Sequence, residues 1–183
     1  MFSHKLTEDT ELRLLEERHA GVLANLTDRN REYLRAWLPW VDASRTLEDR
    51  KNFIRGTLQQ FARNQGFAAG IWHEGSLAGV IGCEPIDWEN RSTEVGYWLG
   101  EEYQGKGLVT AACRALVEHA FGELGLNRVV ILCATENEKS CAVPERLGFR
   151  REGIERQAEW LYDRFVDHVT YSALASEWPT RHS

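Results

Sequence analysis

Residues 93–134 constrain this chain more than any other stretch. Thr93–Leu99 alternates, with Val95, Tyr97 and Leu99 on one side and Glu94, Gly96 and Trp98 on the other, which is the period of a strand. Gly107–Leu124 carries Leu108, Ala112, Ala115, Leu116 and Ala120 on one stripe, the period of a helix. Arg128–Ala134, RVVILCA, is a nearly unbroken apolar run, as expected of a strand covered on both faces. Strand, long helix and strand in succession make a βαβ unit, and a crossover of this length forces the two strands parallel.

The flanks read differently. Glu11–Leu15 is a first strand, followed by two short helices at 18–29 and 30–38, the second stopped at Leu38-Pro39. Thr46–Asn64 has a helical pattern, with Leu47, Phe53 or Ile54, Leu58 and Phe61 on one side and Thr46 as N-cap ahead of Asp49. Gly66–His73 and Leu77–Glu84 form a hairpin through Glu74-Gly75-Ser76. After the βαβ unit come a helix over Glu138–Leu147 and strands at Phe149–Gln157 and Arg164–Leu174. The sum is an α/β fold with a mixed sheet, mostly antiparallel with one parallel pair. With 183 residues, no repeat and no linker, one domain over 1–183 is expected, its core at about 10–175.

Charge and cysteines narrow the function. A net charge of −6 argues against a general nucleic-acid binder and suits a cationic acceptor. Cys83, Cys113, Cys133 and Cys141 form no CxxC pair, and His19, His73, His119 and His168 have no paired metal spacing, so no metal is expected. The opening MFSHKLTEDTELRLLEERH has no signal-peptide core and no run is long enough to span a membrane, so the expected location is the cytoplasm.

The loop joining strand 93–99 to helix 107–124 is Tyr103-Gln104-Gly105-Lys106-Gly107-Leu108-Val109. Its glycines let the backbone approach a ligand, and the first free N–H groups of the helix point into the same space. That arrangement suits an anion such as a pyrophosphate, although glycine-rich loops before helices are often only tight turns. Two features argue against a P-loop. Gly107 stands where GxxxxGK[ST] needs its magnesium-binding hydroxyl, and Glu101 and Glu102 would repel a triphosphate.

Gln104-Gly105-Lys106-Gly107-Leu108-Val109 resembles the acetyl-CoA signature Q/R-x-x-G-x-G/A of the GNAT superfamily, departing only at Val109, whose backbone N–H is retained. Asn137-Glu-Lys-Ser140-Cys-Ala-Val-Pro-Glu145-Arg-Leu-Gly148-Phe149 resembles the superfamily's second motif. Arg31–Trp40, Glu94–Leu99 and the NEKSCAVPERLGF run are most similar to the ribosomal-protein N-terminal acetyltransferases of the RimJ/RimL type, over roughly residues 10–175. The resemblance implies a GNAT fold and acetyl-CoA as cosubstrate. It implies cofactor contacts at Leu99, Gln104, Gly105, Lys106, Gly107, Leu108, Val109, Thr110, Asn137 and Ser140. The acceptor it implies is the N-terminal amine of a protein. A small amine (polyamine, amino acid or antibiotic) is the alternative, and an acyl-CoA-binding module without turnover is a third.

Acetyl transfer needs a deprotonated amine, donors for the carbonyl oxygen and a proton for the departing thiolate. Near pH 7 an α-amine of pKa about 8 costs about 1 kcal/mol to deprotonate, against about 4–5 for lysine. A carboxylate suffices for the former. The RimL-type resemblance assigns the base to Glu159, in Gln157-Ala-Glu159-Trp160, and Glu94 on its strand competes. It makes Ser140 the thiolate's acid, because Pro144 stands where many superfamily members have a tyrosine. Pro144 also removes an N–H from the Ser140 carbonyl, which predicts a loosened helix there. Cys141 as a nucleophile lacks an activating histidine in its motif. The resemblance places Trp37 and Trp40 beside the acceptor cleft, unless both are core residues. Glu84, with Asp87 and Glu89, gives that cleft negative potential, unless these are only solvated charges. The exposed edge and C-terminal strands offer a surface for a homodimer.

Overall fold

A computed structural model describes residues 3–179, so the ends of the expected 1–183 domain lie outside the described residues. Eight strands form one sheet in the order β1-β2-β3-β4-β5-β6-β8-β7. They are β1 (Ser3–Lys5), β2 (Thr10–Leu14), β3 (Phe67–His73), β4 (Ser76–Cys83), β5 (Ser92–Leu99), β6 (Arg128–Ala134), β7 (Arg150–Leu161) and β8 (Arg164–Leu174). The helices are α1 (Ala20–Arg29), α2 (Arg31–Arg35), α3 (Leu47–Ala62), α4 (Leu108–Gly122) and α5 (Glu138–Leu147). β5 and β6 run parallel, with α4 as the crossover, and every other neighbouring pair is antiparallel.

Two layers of helix cover the sheet. On one face α4 and α5 bury Ala112, Cys113, Leu116, Val117 and Leu147 against Ile71, Ile81, Val95, Val129 and Ile131. On the other, α1 and α3 bury Leu23, Leu26 and Ile54 against Ala68, Trp72, Leu77 and Val80. Leu77 and Val80 share that face despite their odd spacing because β4 bulges. Ile71 pairs with Gly79 and the next residue, Trp72, pairs with Leu77.

Several boundaries and faces depart from the expectations. α1 begins at Ala20, after a single 3₁₀ turn at Glu17–His19. α2 ends at Arg35, because the bonds tighten to the i→i+3 type at Ala36 and Trp37 ahead of Pro39. Thr46 caps α3 in a reciprocal box with Asp49. Of the proposed α3 stripe only Ile54 is fully buried; Leu47, Phe53 and Phe61 are 43–49% exposed, since α3 stands over a cavity rather than flat on the sheet. β6 is not covered on both faces. Val129, Ile131 and Cys133 are buried, but Val130, Leu132 and Ala134 are only half-buried, because α1 and α3 reach only β3 and β4. The β3–β4 loop is two residues, Glu74 and Gly75, both with positive φ, and Ser76 belongs to the strand. β1 has no sequence signal: three exposed polar residues show no period.

The feature that positions the site is the brevity of the parallel pair. β5 and β6 are joined only at Ser92↔Arg128, Thr93↔Val129 and Glu94↔Val130. Beyond Glu94 β5 continues with β4, β6 continues with β8, and the sheet opens into a wedge between them.

Candidate active site

The glycine loop sits at the mouth of this wedge. Gly105 and Gly107 both have φ of +75°, and a Cβ on either would meet nothing within 4 Å. The glycines therefore serve a left-handed backbone and leave open space above it. Gly107 is the N-cap of α4, and the first bond of the helix is Ala111 N–H to Gly107 O at 3.0 Å. The N–H groups of Leu108, Val109 and Thr110 are thus free of helical partners at the positive end of a 15-residue helix dipole. No acidic residue lies in that first turn. Of the two glutamates before the loop, Glu102 is held aside by Arg29 at 3.2 Å, and the backbone at Glu101 is anchored by its N–H donating to Asn30 Oδ1 at 2.8 Å.

A cleft of about 940 Å³ runs from this loop into the wedge. Tyr97, Trp98 and Leu99 of β5 line it, with Gln104, Gly105, Gly107–Thr110, Asn137, Ser140 and Trp37. Arg114, Lys139 and Arg146 add positive charge, and Lys139 Nζ donates to Gln104 Oε1 at 2.8 Å.

At the inner end Asn137 Oδ1 caps α5 by accepting from Ser140 N–H at 3.1 Å. Ser140 Oγ lies 3.3 Å from Cys133 Sγ and 3.4 Å from the Tyr97 hydroxyl. Burial pushes the Cys133 thiol up to about 12 and the Tyr97 phenol well above its ordinary value, so both stay protonated and neutral while the Ser140 hydroxyl donates to them. α5 is not loosened at Pro144. It runs unbroken from Glu138 to Leu147, because the Tyr97 hydroxyl donates to the Ser140 carbonyl at 3.0 Å in place of the missing N–H.

A second cavity, of about 640 Å³, lies under α3 on the other face of β5. It shares Leu38, Tyr97 and Trp98 with the cleft, and Trp40 and Glu84 line it. Four carboxylates gather beside it. Burial, then the charges of Glu84, Glu155 and Glu159, hold the Glu94 carboxyl above the usual range. Glu159 Oε2 stands 3.5 Å from His168 Nε2, past a bulge in β7 at which Gln157 has φ +52° and donates its N–H to Asp167 Oδ1. The tip of the β7–β8 hairpin closes on the end of α2, where Tyr162 donates to Leu38 O at 2.7 Å and Arg35 stacks on its ring.

The chain as a whole has relatives among known proteins. The acetyltransferase (GNAT) domain family matches residues 9–150. The chain belongs to the GNAT acetyltransferase family. Among its GNAT relatives, "Putative ribosomal N-acetyltransferase YdaF" of Bacillus subtilis (strain 168) is 42% identical over 97% of this chain and 98% of its own length. The ribosomal-protein-serine acetyltransferase of Escherichia coli (strain K12) is 34% identical over 93% and 95%. Among solved structures, RimL, a ribosomal L7/L12 α-N-protein acetyltransferase in complex with coenzyme A, superposes with a TM-score of 0.90 at 29% identity, over 93% and 96% of the two chains.

Most of the GNAT residues singled out in the sequence converge. Leu99, Gln104, Gly105, Gly107, Leu108, Val109, Thr110, Asn137, Ser140 and Trp37 line one cleft. Lys106 does not; it is exposed, its ammonium 5.7 Å from the Tyr103 ring. Trp37 and Trp40 are half-buried at the cavities rather than core residues. Glu94 and Glu159 line neither cavity but share a charge cluster. Cys141 turns away from the cleft, 3.6 Å from the Ala134 carbonyl. Sequence reasoning missed Tyr97 and Cys133 as neighbours of Ser140, the cations Arg114, Lys139 and Arg146, and the buried Arg50. Only Arg114 had a signal, lying a whole number of turns from Gly107 on α4. Among the described residues no group of three or more His, Cys, Asp or Glu side chains is arranged to hold a metal ion, and no helix is long and apolar enough to cross a membrane.

Proposed function

We propose that this GNAT enzyme acetylates the N-terminal α-amine of a ribosomal protein in the cytoplasm, taking the acetyl group directly from acetyl-CoA. One observation carries the cosubstrate: the bare amides of Leu108–Thr110, behind two left-handed glycines, open on a cleft that reaches Ser140. Those amides suit a diphosphate, Arg114, Lys139 and Arg146 suit its remaining charge, and the wedge admits a slender arm toward Ser140. The names of the full-length relatives support the acceptor.

Acetyl-CoA supplies an activated acyl group. The chain's own residues handle the protons. In this reading Glu94 receives the amine proton, directly or through water, and its burial among Glu84, Glu155 and Glu159 raises its proton affinity for that task. Glu159, which the family resemblance favours as base, acts here chiefly by its charge on Glu94. The amine nitrogen bonds to the acyl carbon, the carbon–sulfur bond breaks, and the Ser140 hydroxyl donates toward the sulfur as its charge develops. For that donation the Ser140 proton turns away from Tyr97 and Cys133, to which it is bonded at rest, and the Cys133 S–H is the donor left to face its oxygen.

The test is thiol release from acetyl-CoA with a panel of N-terminal peptides, peptides with only a lysine amine, and small amines. Turnover is expected with the α-amine peptides. Turnover with small amines alone would transfer the proposal to small-molecule acetylation, and coenzyme binding without turnover of any amine would overturn it.

A further inference from the structure

The cavity under α3 contains two charged side chains among its lining residues, and they have opposite signs: Arg50 and Glu84. Arg50 is 3% exposed, an unusual burial for a guanidinium. It has five N–H donors in a fixed fork. One donates to Ser44 Oγ and one to Ser44 O at 2.7 Å. Nε is buried with no acceptor, and among the described residues the guanidinium forms no ion pair within 4 Å, Asp28 and Asp49 acting on it only from farther off. Its other neighbour is the Trp40 ring, 5.7 Å from Cζ. A buried cation without a bonded anion is costly, and the two oxygens of one loop residue, Ser44, leave its Nε unsatisfied.

A carboxylate lines the far end of the same cavity. Arg50, Phe53, Thr57 and Gln60 line it along one stripe of α3, which spans about 15 Å from Arg50 to Gln60. Glu84 lies past the C-terminal end of that stripe, with its backbone carbonyl against Gly66 and its carboxylate beside Gly96. Trp98, shared with the coenzyme cleft, stands between the two ends, its ring 6.0 Å from that of Trp40. The cavity thus offers a carboxylate for an ammonium near the reacting end and a guanidinium beyond two tryptophans.

We propose that Arg50 is a specificity residue that binds a carboxylate of the acceptor, so that the enzyme selects amines with an acidic group a few residues away. This rests on the acceptor entering beside Glu94 and Trp98, as proposed above. The path from Trp98 over Trp40 to Arg50 is one that an extended peptide covers in about three residues. The selected N-terminus therefore carries Asp or Glu at about its third residue, or is a short peptide whose own C-terminal carboxylate falls there. A single cation matches a carboxylate better than a doubly charged phosphate.

Two measurements on the full chain test this. The first is kcat/KM for peptides with Asp or Asn, and Glu or Gln, at each of positions 2 to 4, together with free tripeptides and their C-terminal amides. Wild type is expected to favour the acid at one position by about tenfold. In Arg50→Gln that ratio falls close to one, and in Arg50→Lys it is partly recovered. A structural role alone would depress acid and amide peptides alike and leave their ratio intact, which overturns the proposal, as does a wild-type ratio of one. If the tripeptides show the larger ratio, the carboxylate is a chain terminus rather than a side chain. The second is peptide binding read by tryptophan fluorescence in the presence of coenzyme A, which needs no turnover. Acid-dependent binding that Arg50→Gln removes, with no acetylation of any amine, keeps this inference and sinks the proposed reaction. Acetylation blind to the acid does the reverse.

Discussion

Glu94 shows how one side chain joins chemistry to stability. Its proton is held by burial and by three neighbouring carboxylates, so its folded pKa lies above its unfolded one. The fold gains from that proton at low pH and loses the gain as pH rises through the raised pKa. A base works only once deprotonated, so turnover should rise over the same window, displaced above the ordinary carboxylate range. Glu94→Gln should therefore lose the acidic limb of the pH–rate profile, lower kcat by about 10²-fold or more, and melt higher than wild type at neutral pH. Glu159→Gln should keep part of the rate while moving the limb to lower pH, since it removes one of the charges that raise Glu94. A limb unchanged in Glu94→Gln, with the rate abolished in Glu159→Gln, would return the base to Glu159.

At the scale of elements, α4 can serve as the proposed anion site only because of how it begins. Gly107 has φ +75° at the N-cap, a conformation that costs a residue with Cβ about 1–2 kcal/mol. Nothing of the protein lies within 4 Å of where that Cβ would stand. Gly107→Ala should accordingly lower the stability measured by denaturant melts by about that amount, and weaken coenzyme A binding measured by calorimetry by about tenfold or more, because the added methyl occupies the ligand's space. If both effects vanished, the amides of Leu108–Thr110 would not be the diphosphate site. α5 teaches the complementary lesson. Pro144 near its middle announces a defect from sequence alone, yet the helix is whole, because the missing donor is supplied by another element.

At the scale of the molecule, the sequence was most legible where one element decides its own form. The βαβ unit could be read from periodicity, and Gly105 and Gly107 from the turn they require. Ser140, Asn137 and the loop residues could be placed in one site because two motifs at strand–helix junctions converge on it. Relations between distant segments were not legible. Nothing near Arg50 in sequence says that it is buried with its Nε unpartnered, and nothing near Tyr97 says that its hydroxyl lies beside Ser140, 43 residues on. The apolar runs also overstated burial, since a run shows that a strand can be covered, not that a helix reaches it, as Val130 and Leu132 show.

The two halves of the sheet meet along three residue pairs and then part, and the Tyr97–Ser140 bond spans the parted edges. Tyr97→Phe leaves a carbonyl in α5 that no backbone donor can satisfy, so unfolding should become easier by about 1–3 kcal/mol; no loss in a denaturant melt would show that the carbonyl finds another donor. The proline and the phenol behave as a mortise and tenon. The ring withholds a donor and the phenol supplies one, so a change at either position is felt at the other, across the seam where the sheet parts.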